Sequence, residues 1–189
     1  MGQNTLRLDN FVPKKYFITK GTGVAKVDTT SETSHHVDTF HDALRAAGIA
    51  YANIGPKYSS IIPFGSEQIP SIPRLEWGQS LPAIYAQSDK SNGKTATAGL
   101  GIAKFMDKSD KEKGLVVEYV GDGSSDYVEN WLRTKLDQIV EKAEKDSELK
   151  NFHRYGENRI YVASEHAEEG EAATALVLIG FGEFEVKLL

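Results

Sequence analysis

Only two stretches of this 189-residue chain carry apolar residues at helical spacing. Nearly everything else reads as short strands divided by glycine, proline and charge. Phe40, Ala43, Leu44 and Ala47 recur at i, i+3, i+4, i+7, which predicts a helix over 37–47 with Gly48 as its C′ residue. A second helix is predicted over 126–149, capped by Ser124 or Ser125, with Tyr127, Trp131, Leu132, Leu136, Ile139 and Val140 as its apolar stripe. Strands are expected at 16–18, 49–54, 83–87, 95–104, 114–120, 158–164 and 172–182. Gly21-Thr22-Gly23 reads as a turn after the first strand, with glycine used for close backbone approach or for positive φ. Its spacing fits no nucleotide-binding fingerprint. Asn92-Gly93 is a hairpin signal. Residues 27–36 read as a polar loop, and 64–82 as a proline-rich loop with short extended pieces. Two helices against many strands give an α+β domain with mostly antiparallel sheets, and the length suits a single domain over 1–189.

Charge and cysteine count narrow the chemistry. The net charge is −5 with no evident basic face, so nucleic acid is not an expected partner. Cysteine is absent, which excludes disulfides, thiol nucleophiles and cysteine-bound zinc. No apolar run approaches the roughly 20 residues of a membrane helix, so no membrane partner is expected. Residues 1–10 do not read as a signal peptide, and the expected compartment is the cytoplasm. His35, His36 and His41 lie near Asp38 and Asp42, but adjacent residues diverge on a helix or strand, so a solvated cluster is expected rather than a metal site.

Two features point to chemistry. The first is Ser59-Ser60, which follows Gly55-Pro56 and precedes Ile61-Ile62-Pro63. A serine pair by itself is most often a turn. The second is Glu118, a carboxylate in the apolar run Leu115-Val116-Val117-Glu118-Tyr119-Val120. It reads either as an edge-strand charge facing water or as a buried acid suited to donate a proton.

Taken in order, these pieces resemble the pyruvoyl-dependent arginine decarboxylases. The resemblance is carried by Phe40 to Leu44, Ala47-Gly48-Ile49, Asn53, Ser59-Ser60-Ile61-Ile62-Pro63, Gly114 to Tyr119 and Ala163-Ser164-Glu165-His166. It implies a four-layer αββα sandwich that assembles as a homotrimer, or a multiple of one, with active sites between subunits. It also implies self-cleavage between Ser59 and Ser60 into a β chain, 1–59, and an α chain, 60–189. Ser60 would become a covalent pyruvoyl group, the cofactor for decarboxylating a small amino-acid substrate, arginine to agmatine and carbon dioxide. In that chemistry the Ser60 hydroxyl attacks the Ser59 carbonyl, Asn53 assists, and Glu118 returns a proton to Cα.

The chain departs from the family pattern at two places. The segment from Asn53 to Ser60 is one residue longer, with the extra residue expected at Gly55-Pro56. The position after Phe40, where the family carries an acid for the substrate's guanidinium, is His41, followed by Asp42. Histidine cannot accept two hydrogen bonds from a guanidinium, so arginine would lean on Asp38, three residues earlier on the same helical face.

Overall fold

The computed structural model describes residues 11–27, 35–145 and 149–186. Among these described residues, ten strands and two helices follow in the order β1 (Phe11–Lys26), α1 (His35–Ala46), β2 (Asn53–Lys57), β3 (Ile61–Ile62), β4 (Glu67–Gln68), β5 (Ser80–Ser91), β6 (Thr95–Asp107), β7 (Glu112–Gly121), α2 (Ser125–Lys145), β8 (Phe152–Arg154), β9 (Arg159–His166) and β10 (Glu171–Val186). One sheet has the order β2-β5-β10-β1-β4 and the other β3-β7-β6-β8, with β9 also paired to β6. Every pairing is antiparallel except β2 with β5 and β1 with β4.

Strand alternation sorts the side chains into layers. On β10, Ala175, Val177 and Ile179 face Leu100, Ile102 and Val116 across the gap between the sheets, while Leu176 and Leu178 face outward onto Ala43, Leu44 and Ala47 of α1. On the second sheet Ala103, Phe105 and Val117 face outward onto Val128, Leu132 and Leu136 of α2. Three cores between four layers make the αββα sandwich that the resemblance implies, in an α+β fold.

The helix ends follow from local chemistry. Gly48 sits at φ 74°. Its N–H donates to the Arg45 carbonyl at 2.9 Å, and Ile49 N–H donates to Leu44 at 3.0 Å, closing α1 in a Schellman motif. Ser124 caps α2, its Oγ accepting from Tyr127 N–H at 3.3 Å.

Several sequence expectations are corrected. Gly21 and Gly23 form no turn; both lie inside β1, paired to β10. A Cβ at Gly21 would meet the Ala43 carbonyl of α1, and one at Gly23 the Thr39 carbonyl. The glycines therefore let a helix backbone lie directly on the strand. Gly21→Ala is expected to destabilise the protein by about 1–3 kcal/mol, the usual range for overpacking, read as a lower urea midpoint. An unchanged midpoint would mean that α1 shifts freely on the sheet.

Asn92 and Gly93 do take positive φ, 54° and 73°. The strands they join nevertheless part into different sheets: Ser91 pairs with Ala172 and Thr95 with His166. Residues 49–52 turn, and the strand expected there starts at Asn53. His35 and His36 open α1 rather than ending a loop. On α2, Val128 is buried, while Tyr127 and Ile139 are exposed. The last turns expected for that helix, 146–148, lie outside the described residues. Among the described residues no helix is long and apolar enough to cross a membrane.

Candidate active site

Ser59 and Ser60 lie where the chain leaves the edge of one sheet for the edge of the other. Before them, β2 runs parallel to β5: Asn53 pairs with Ser80, Ile54 with Leu81 and Lys57 with Ala83. Gly55 and Pro56, joined by a cis bond, thus stand opposite the single residue Pro82. The irregularity is a β-bulge in the pairing of β2 with β5. After the serines, β3 pairs Ile61 with Leu115 and Ile62 with Gly114.

Both sides of the Ser59–Ser60 bond are tied down. Tyr58 N–H donates to the Ala83 carbonyl at 2.8 Å, and the Tyr58 ring meets Phe181 edge-on with centroids 5.1 Å apart. Val116 N–H donates to the Ser60 carbonyl at 2.9 Å. Ile61 N–H points away from β7 and donates to the Ser59 carbonyl at 2.6 Å, closing a three-residue turn around Ser60. The hydrogen bond falls on the carbonyl that the Ser60 hydroxyl would attack. A donor at that oxygen withdraws electrons from the carbon and meets charge developing on the oxygen. Both serines are exposed to solvent.

Glu118 is half-buried, with 22% of its side chain exposed. It pairs with Leu100 and lies two residues from Val116, so it points between the sheets rather than toward α2. Its Oε2 accepts from Lys57 Nζ at 2.9 Å. The Lys57 ammonium also lies 4.8 Å from the centre of the Tyr85 ring. Lys57 carries no motif of its own, and its one sequence signal is a place two residues before the serine pair. Its partner is 61 positions away.

Asn53 and His41 share two adjoining hollows of about 580 and 430 Å³ beside α1. The larger also carries Arg45 and the stacked pair Tyr51 and Trp77, whose centroids are 5.0 Å apart. The smaller extends along β5 past Tyr85 to Gln87. Asn53 Nδ2 donates to the Gly78 carbonyl at 3.0 Å. Neither Asp38 nor Asp42 lines either hollow; Asp42 is bound to Arg45 at 2.9 Å. Among the described residues lining these hollows, none carries a carboxylate.

A further cavity of about 570 Å³ lies near the opposite edge, lined in part by Ser66, Lys104, Glu112 and Arg159. Burial alone would lower the Lys104 pKa, but hydrogen bonds to Glu112 and Tyr16 carry it above its ordinary value. That cation is already satisfied by Glu112 at 2.9 Å. The serine pair, Glu118 and the β5 hollows lie outside that cavity.

A family model described as pyruvoyl-dependent arginine decarboxylase matches residues 15–186. No curated protein matches the chain.

Proposed function

The chain belongs to the pyruvoyl-dependent arginine decarboxylase family, and from that premise we propose that it cuts itself between Ser59 and Ser60 and then decarboxylates an amino acid. The carrying observation is the Ser59 carbonyl, which receives Ile61 N–H at 2.6 Å while the residues around it are anchored to two different sheets. Ser60 Oγ attacks that carbonyl and replaces the amide by an ester. Loss of the Ser60 α-proton breaks the ester, freeing the Ser59 carboxylate. The dehydroalanine left at position 60 takes up water and releases ammonia, which leaves a pyruvoyl group at the head of the 60–189 fragment.

The residues present suit such a group. Position 60 opens to solvent and stays paired to β7, so a new chain terminus there keeps its place. A pyruvoyl carbonyl supplies a sink for the electrons released with carbon dioxide. The protein's part is to hold the substrate along Tyr85 and the β5 hollows and to return a proton to Cα from Glu118. Lys57 holds the Glu118 carboxyl through its Oε2, and Glu118 takes up from solvent, on Oε1, the proton that it delivers to Cα, since an ionised carboxylate only accepts. Asn53, at the mouth of the hollows, orients the substrate and assists processing. Arginine is the substrate named in the family's description, and its decarboxylation would give agmatine.

The test is an intact-mass measurement of purified protein with and without a carbonyl reagent. Two fragments, with the larger one gaining the reagent's mass, are expected. A single unreactive chain after prolonged incubation would refute the proposal. We also propose a homotrimer or a multiple of one, with sites between subunits, as membership of the family implies. Light scattering should report that mass, and a fully active monomer at assay concentration would contradict it.

A further inference from the structure

The β5 hollow holds a matched acceptor and donor and no carboxylate, and this bears on the substrate class within the proposed decarboxylase reading. Gln87 Nε2 donates to Asp89 Oδ2 at 2.9 Å. A carboxylate only accepts, so the amide nitrogen must face Asp89 and the amide oxygen must turn away. Asp89 is itself held: its Oδ1 accepts from Thr174 Oγ1 at 2.6 Å. Thr174 in turn meets Thr39 of α1 at 2.7 Å, and both threonines are fully buried. The chain of bonds sets the orientation of Gln87 from the core outward. Its Oε1 has no protein partner among the described residues, and neither has the His41 imidazole across the same hollow.

We infer that Gln87 and His41 receive the far end of the substrate side chain, and that the site favours a neutral ureido or amide end over a guanidinium. A ureido group offers N–H donors and one carbonyl. The donors match Gln87 Oε1 and the carbonyl matches an imidazole N–H. A guanidinium carries donors only, so it can meet the imidazole only through its unprotonated nitrogen, and the imidazole N–H then finds no acceptor on the substrate. It also brings a charge into a hollow whose described lining has no counter-ion. L-citrulline and L-arginine have the same shape and differ in this group, so they isolate the effect.

The experiment begins with intact mass, which establishes cleavage separately. On cleaved wild type, kcat/KM for citrulline should exceed that for arginine by about tenfold or more. Gln87→Leu should lower the citrulline value about 10–100-fold, mainly through KM. His41→Asp should move the ratio toward arginine by a similar factor. His41 is exposed on α1, so that variant tests the idea even if Gln87→Leu does not fold. Arginine preferred by the wild type, a ratio unmoved by His41→Asp, or turnover of neither amino acid would overturn the inference. If the protein is uncut, the processing reading fails by itself. Calorimetry with the two product amines, agmatine and N-carbamoylputrescine, then decides specificity on the uncut chain: tighter binding of the carbamoyl amine supports the inference. Tighter agmatine, or binding of neither, overturns it.

Discussion

Ser60→Ala should leave one chain of 189 residues where the wild type is expected to give fragments 1–59 and 60–189, the second blocked to N-terminal sequencing. Alanine keeps the turn and the Ile61-to-Ser59 hydrogen bond, since both are made by the backbone. It removes only the hydroxyl that attacks. The effect is therefore all or none, and because Ser60 is exposed the fold should be unaltered. Denaturing electrophoresis reads the outcome and circular dichroism checks the fold. Cleavage of the alanine variant at the same bond would assign the scission to another nucleophile or to a contaminating protease.

Glu118→Gln has the second-largest expected effect. Glutamine keeps the size and still accepts from Lys57 Nζ, but it transfers no proton. Decarboxylation should fall about 10²–10⁴-fold, the usual contribution of a positioned acid, while cleavage continues at least in part. Stability should change little. The Lys57–Glu118 pair is half open to water on the lysine side, with 49% of that side chain exposed, and such pairs contribute about 1 kcal/mol or less. The measurement is kcat on cleaved variant protein, with the carbonyl-reagent mass shift confirming that the pyruvoyl group is present. Decarboxylation near the wild-type rate would return Glu118 to the role of a charge facing water.

What the sequence made legible was whatever is decided within a few residues. The α1 face, its Gly48 ending, the Ser124 cap and the alternation of Val116 and Glu118 against Val117 and Tyr119 all appear as expected, because spacing and φ preference are local properties. Partners are not local. Gly21 and Gly23 look like punctuation until α1 is laid across them. Asn92-Gly93 supplies a tight turn, but nothing in it says that β5 and β6 will separate into facing sheets. Lys57 and Gln87 escaped notice for the same reason: each matters through a contact or a cavity assembled by the fold, Lys57 with Glu118, Gln87 with Asp89 and His41. The spacing of apolar residues puts Tyr127 on the stripe of α2. The sheet instead buries the series Val128, Leu132, Leu136, Val140 and leaves Tyr127 to lean on Tyr119 from outside.

The position of β1 has a consequence for the order of events in the life of the molecule. It belongs to the smaller fragment, yet it lies inside the first sheet, between β10 and β4, with Tyr16 and Phe17 each 1% exposed. A cut after Ser59 would therefore shed nothing. It would convert one chain into two interleaved pieces that cannot part without opening two hydrophobic cores. Folding would have to come first, while the pieces are still tethered and meet at first order. After scission, recovery from denaturant would become an encounter between separate molecules, and its yield should rise with protein concentration. Maturation would thus give the molecule a history: the active form is one that it can keep far more readily than it can regain.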